Sequence, residues 1–447
     1  MMSTPSGPPP LNPSLGRSTL RAILPALFLA SSWTWVIGMW FPYYLTRDFG
    51  WVAWLVFAIP NVIGAASVGL ILRPGGTRDP QTWGPRSSIR LTTQHDIACM
   101  AFSVVTIAFQ LYVVSFLIRS HISQLPIAAP MVSISTAVFA ALVILFALLP
   151  WRASWWAAGL VWLASIGFAI ASGLTSGDQA AFSLPPADGI VGVTGDPNGL
   201  WKLAPAIVFG FLLCPYLDLT INRVRQDTAE PTGSIASVLG FGVFFLVMIG
   251  LTLGYAGRLI NHNTISYYIV GHIALQAAFT SGVHLRALGR AGGYHKFDLS
   301  KPRDAEGRPT AVRQAKLRLF CFSFLFCFAL FFGNAVVDLQ QPRAGYDASR
   351  FWYDLLISSY GLIFPAYMYI CVVPHPTLRA VRRKARVLLW AVTTLAATPL
   401  FFLGFIGFAE PQYGLIPIGV VLILAAPYVA GQWLPKRRVP VRSRTGQ

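Results

Sequence analysis

A helix needs about 20 predominantly apolar residues to cross the hydrocarbon core of a bilayer. Windows of that kind recur along this chain, centred near residues 33, 61, 108, 139, 163, 211, 245, 277, 328, 363, 397 and 424. The pattern predicts an all-α polytopic membrane protein of about 12 transmembrane helices. The first apolar run follows a Pro/Ser/Gly-rich tail, "MMSTPSGPPPLNPSLGRS". It continues into "SSWTWVIGMWFPYYL", well beyond the length of a signal-peptide core, so an uncleaved first span is expected.

Composition agrees with the periodicity. Hydrophobic residues make up 55% of the 447 and charged residues 11%, and mean hydropathy is +0.59, which leaves too little polar surface for a soluble globular particle. Cys99, Cys214, Cys321, Cys327 and Cys371 fall in or beside apolar segments without metal-ligand spacing, and read as small buried hydrophobes.

Charge then fixes an orientation. With the N-terminus in the cytoplasm, the outer segments hold six basic residues (Arg47, Arg119, Lys202, Arg258, Arg343 and Arg350) out of 34 Lys+Arg, a bias that the positive-inside rule selects. The basic blocks before spans 9 and 11 and at the C-terminus all fall inside. The loop "SGDQAAFSLPPADGIVGVTGDPN" carries aspartates without a basic residue, as suits an outer loop. The formal charge of +18 is thereby explained by topology and anionic headgroups, and no nucleic-acid partner is expected. The expected setting is a plasma membrane or bacterial inner membrane, with both termini cytoplasmic and the lipid bilayer as the one evident partner.

Spans 1 and 6 share a local pattern. "GMWFPYYLT" (Gly38 to Thr46) matches "GFLLCPYLDLT" (Gly210 to Thr220): Gly, aromatic and apolar residues, Pro-Tyr, then Leu and Thr. A repeat unit of five spans is odd-numbered, so its second copy runs inverted. A six-plus-six arrangement fits less well, because the longest cytoplasmic loop follows span 8 rather than span 6. On these features the chain resembles the sodium-symporter-type fold of the amino acid, polyamine and organocation transporter superfamily, over roughly residues 20 to 375. The resemblance implies inverted five-helix repeats plus two extra helices. The expected divisions are a disordered tail (1–19), a first repeat (20–174), an outer loop (175–199), a second repeat (200–375), two additional helices (376–434) and a basic tail (435–447).

In such folds the first and sixth helices are unwound in mid-membrane, where half-helix ends and freed carbonyls meet ions and substrate. Pro42 with Gly38, and Pro215 with Gly210, are the residues expected to make those breaks; simple proline kinks are the alternative. Asp218 follows Pro215. It reads either as a carboxylate facing a central cavity, to pair with a cation or take up a proton, or as an anchor bonded to Asn222 or to an arginine. On span 8, Ala277, Thr280 and Ser281 have the i, i+3, i+4 spacing of one helix face. By resemblance they form a candidate sodium site; tight helix packing explains the same residues without an ion.

Gln110, His272, Gln276, Asn334, Ser358 and Ser359 are further polar candidates. His272 and His284 are twelve apart and do not read as a metal pair. Trp33 and Trp35 are deep enough to stack on a substrate, or to serve packing.

The function expected is secondary active transport of a small organic solute by alternating access, coupled to sodium or protons, without a cofactor and without enzymatic turnover. No G-x-x-x-x-G-K-[ST] motif is present to bind ATP. A membrane-embedded enzyme acting on a lipid-linked substrate, and a transporter-like sensor or scaffold, are the alternatives.

Overall fold

A computed structural model describes residues 13–74, 86–118, 128–175, 184–185, 198–262, 265–290, 357–373, 375–405, 412–430 and 432–434. The expected span 9, Asn334, most of the long basic loop before it, most of the acidic outer loop and the C-terminal basic tail lie outside these residues. Among the described residues the structure is helical, with one isolated bridge between Arg73 and Ser87.

The helices are α1 (Pro13–Trp33), α2 (Val36–Phe49), α3 (Val52–Ile71), α4 (Ser88–Gln94), α5 (Asp96–Leu117), α6 (Ala128–Leu148), α7 (Trp151–Leu174) and α8 (Gly199–Leu213). After them come α9 (Leu219–Asp227), α10 (Thr232–Leu239), α11 (Leu246–His262), α12 (Tyr267–Arg290), α13 (Ser359–Val372), α14 (Arg383–Phe405) and α15 (Leu415–Ala430). A π-helical stretch, Gly240–Phe245, joins α10 to α11.

Among the described residues seven helices are long and apolar enough to cross a bilayer, or eight if the bent pair Ser18–Trp33 and Val36–Phe49 counts as one span. Helix α12 has the length, but His272, Gln276, His284 and Arg286 lower its hydropathy below that of α5, α6 and α7. Leu148, Leu174, Leu395 and Val429, on α6, α7, α14 and α15, are all more than two-thirds exposed, as side chains facing lipid would be. The protein is thus a membrane-embedded helical bundle.

At its centre α5 and α12 pack against one another, and α12 also contacts α1, α6 and α7. Helix α1 packs on α10, the π stretch and α7, while α3 packs on α8 and α10. Lipid supplies no hydrophobic drive between helices, so contact depends on how closely backbones approach. At Gly64 of α3 an added Cβ would meet Phe211 O of α8 at 1.9 Å. At Gly210 it would meet Tyr360 O of α13 at 2.6 Å. Both α8 contacts therefore depend on glycine.

Candidate functional site

Two interrupted spans define the site. The first break lies at Thr34 and Trp35, where α1 ends and α2 departs at 55°. This corrects the expectation from sequence: Gly38 and Pro42 both lie inside α2 and break nothing. At the break the ladder stops: the Trp35 N–H turns to Trp33 O at 2.8 Å instead of Ser31 O, next to a hydroxyl-rich run that bonds back onto α1's carbonyls. Thr34 N and Oγ1 both donate to Ala30 O (2.9 and 2.7 Å), Ser32 Oγ donates to Leu29 O (3.3 Å), and the Trp35 indole donates to Ser32 O (2.8 Å). The Ser31 carbonyl is left to face α12, where Thr280 Oγ1 donates to it at 3.3 Å. On the other side of the break, the N–H of Val36 at the start of α2 donates to Gln110 Oε1 at 3.2 Å.

The second break is where sequence places it. Helix α8 tightens into a 3₁₀ turn, Cys214–Leu217, containing Pro215, and Asp218 turns the chain into α9. Asp218 is fully buried. Its Oδ1 accepts from Thr220 N (2.6 Å), Thr220 Oγ1 (2.7 Å) and Ile221 N (3.0 Å), an N-cap that satisfies donors a helix start leaves free. The anchor role proposed for Asp218 through Asn222 or an arginine does not hold for its carboxylate. Asn222 Nδ2 donates instead to the backbone carbonyls of Asp218 and Tyr216, both at 2.8 Å. Arg223 pairs with Asp227, and Arg225 pairs with Glu230.

The breaks converge on His284 of α12. Its Nε2 lies 3.5 Å from Asp218 Oδ2, its Nδ1 shares a hydrogen bond with Ser103 Oγ of α5 at 3.0 Å, and its ring lies edge-on to Trp35 at 6.3 Å. His284, Ser103 and Asp218 are all fully buried.

Trp33 and Trp35 pack on each other at 4.1 Å between ring centroids, with Trp35 also against Phe102 and Tyr360. The Trp33 indole donates to Asn61 Oδ1 of α3 at 2.8 Å. Both tryptophans are thus buried with their N–H groups bonded, and they form one wall of the break. Ala277, Thr280 and Ser281 are fully buried on α12. Ser281 Oγ has no hydrogen-bond partner. Gly38 faces Phe245 and Ile249 at ordinary contact distance, and Gly210 serves α8–α13 contact rather than unwinding. Among the described residues no cluster of three or more His, Cys, Asp or Glu could hold a metal ion.

Helix α9 is held at its far end by a second polar set. Arg225 is buried, and its Nε donates to Leu72 O at the end of α3 at 2.6 Å. Burial lowers its pKa from 12.5 to about 10, with Arg73 adding to the shift. From α4, Ser88 Oγ donates to Asn222 Oδ1 at 2.7 Å, and Gln226 Nε2 donates to Thr92 Oγ1 at 3.1 Å.

Ser31, Thr34, Asn61, Ser103 and Tyr360 belong to the site and were not singled out by sequence reasoning. The hydroxyl run Ser31, Ser32, Thr34 beside two tryptophans was a signal for the first break. The others become visible only once helices far apart in sequence are neighbours.

A buried, polar-lined junction of two interrupted spans against one intact helix is the feature by which this membrane-embedded bundle can be classed. No protein-family model matches the chain, and no curated protein matches its sequence.

Proposed function

We propose that the protein is a secondary active transporter of a small organic solute, working by alternating access about the two breaks, with sodium bound between α1 and α12. The observation that carries this reading is the meeting of both breaks at His284: one helix touches two hinges, so a ligand there biases both half-helices at once. A continuous helix gives no such freedom.

Packing around the breaks supports an inverted repeat. Helix α1 lies against the α10–α11 span and α8 lies against α3, which is the same contact if spans 1 and 6, and spans 2 and 7, are equivalent. Likewise α1 packs on α7 and α8 packs on α13, as spans 5 and 10 would require. Counting the bent pair, α12, α13, α15 and the expected span 9 gives the twelve-span reading, with α14 and α15 as the two extra helices. The inward orientation of the basic loops belongs to the same reading.

For the ion, Ser31 O, Thr280 Oγ1 and Ser281 Oγ offer hard oxygen donors of the kind that suits sodium, with the Ala277 carbonyl completing the set implied by the resemblance. Helix α9, tied to α3 and α4 by Arg225 and Asn222, is the inner gate that has to release. A ligand bound to the folded state alone raises stability by mass action. The test is thermal unfolding of the purified protein in sodium against choline at fixed ionic strength. Sodium is expected to raise the midpoint, and Ser281→Ala to abolish the rise. A wild-type midpoint indifferent to sodium removes the ion site.

A further inference from the structure

Helix α12 gathers buried polar atoms that have no partner: both ring nitrogens of His272, Oε1 of Gln276, Oγ of Ser281 and Nε2 of His284, with Oδ2 of Asp218 facing the last. All five side chains are fully buried. Leaving such an atom unmatched is costly; with Ser281 Oγ given to the sodium reading, the remaining atoms on this helix call for water between them. His272, Gln276, Thr280 and His284 follow one another at intervals of one turn, a rise of about 6 Å each. One water making two hydrogen bonds of about 2.9 Å spans that rise.

At the inner end of the file stands an acid–base couple. When His284 donates from Nδ1 to Ser103 Oγ, its Nε2 and Asp218 Oδ2 are two acceptors 3.5 Å apart. When Ser103 donates to Nδ1 instead, the neutral ring carries its proton on Nε2 and points it at Asp218 Oδ2. A proton added to the ring keeps both contacts and makes them charge-assisted, the imidazolium donating to Ser103 on one side and to the carboxylate on the other. The carboxylate keeps its Oδ1 cap on α9 throughout.

Asp218 is the charge acting on His284, and it also acts on Cys99 of α5, Cys214 after α8 and Tyr360 of α13; Asp96 at the start of α5 is a further charge acting on Cys99. Charges on the packed helices are engaged or outward: Arg90 of α4 bonds Gln94, Arg47 and Asp48 of α2 bond each other, Arg152 of α7 lies over Trp155, and Arg21 of α1 is exposed. On their own helices, Arg223 and Arg225 are paired, and Arg286 lies beyond His284 on α12.

We propose that Asp218, His284 and Ser103 form a proton-binding site, reached by protons along a water file on α12 through Gln276 and His272. The step is transfer of a proton from hydronium to His284 Nε2: one O–H bond breaks, one N–H bond forms, and a neutral water is left behind. Coupling this step to α9 movement rests on the transporter reading, whereas proton binding itself is measurable without transport.

The experiment uses the full chain in detergent. Proton uptake is followed with a pH electrode, and tryptophan fluorescence is followed across about pH 5 to 8, the range in which histidine titrates. Trp35 stands edge-on to His284, so an imidazolium there quenches it. The wild type is expected to take up a proton and dim in one step. His284→Gln and Asp218→Asn lose the step, and Asn, which also caps helices, keeps the start of α9. Should the first two variants fail to fold, Ser103→Ala, which leaves α9 untouched, is expected to move the midpoint. After a pH jump, Gln276→Leu and His272→Phe slow the step several-fold without changing its amplitude. A wild type with no uptake in this range, or uptake unaltered in His284→Gln and Asp218→Asn, or a midpoint unmoved by Ser103→Ala, overturns the site. Unchanged rates in Gln276→Leu and His272→Phe overturn the route. The sodium result is read on a different residue, so either reading can fail alone.

Discussion

Gln110 Oε1, on α5, accepts the first N–H of α2 from Val36 at 3.2 Å, inside the protein and away from water. A broken helix in a membrane has to find partners for the backbone groups its break releases, and this side chain is one of them. Gln110→Leu is therefore expected to lower stability by about 1–3 kcal/mol, the cost of an unmatched buried donor. Gln110→Glu keeps an acceptor at the same reach and is expected to recover part of the loss. Thermal unfolding of the two variants in detergent, side by side, checks the order.

Glycine substitutions should separate the two spans that look alike in sequence. At Gly210 a methyl group would press on Tyr360 O at 2.6 Å, so Gly210→Ala must push α8 from α13, at about 1–3 kcal/mol. At Gly38 the nearest atom would be 3.5 Å away, and Gly38→Ala is expected to be tolerated. Equal loss of folded, monodisperse protein in the two variants would contradict this packing.

Arg225 joins α9 to the end of α3 through Leu72 O. Its guanidinium does this from Nε while pairing with Glu230, a fork that lysine lacks. Arg225→Lys keeps the charge and is expected to loosen the inner end of α9. Proteolysis or hydrogen exchange at 219–227 should rise in this variant while the α5 and α12 core stays protected.

At the entry to α5, His95 Nδ1 shares a hydrogen bond with Tyr367 OH at 3.0 Å. Burial lowers its pKa from 6.5 to about 4, and Arg383 and Arg386 push the same way. Between these values the unfolded chain binds a proton that the folded one refuses, so stability is full above pH 6.5 and falls as pH drops towards 4. At roughly 1.4 kcal/mol per unit the loss is about 3 kcal/mol. A thermal-midpoint profile over that window should flatten in His95→Gln; an unchanged slope would place the acid sensitivity elsewhere.

What the sequence determined by itself was the class of protein and the second break. Runs of apolar residues of bilayer length admit few structures other than helices, because lipid offers backbone groups no other partner. Pro215 marks the end of one helix by local chemistry alone, whereas the cap that Asp218 makes on the next was not read from the sequence. The first break shows the limit of such reading. Gly38 and Pro42 carry the expected residue types, yet α2 accommodates both, and the chain bends at Thr34 and Trp35, where the Trp35 N–H turns to Trp33 O and the Ser32 and Thr34 hydroxyls and the Trp35 indole bond α1's carbonyls. That choice also needs Gln110 from α5 and Thr280 from α12 to receive the freed groups. The meeting of His284 with Asp218 and Ser103 is likewise a property of packing: three helices bring together residues 66 and 181 positions apart in sequence. Spacing along α12 could place His284 on a face; only the neighbouring helices decided what that face would touch.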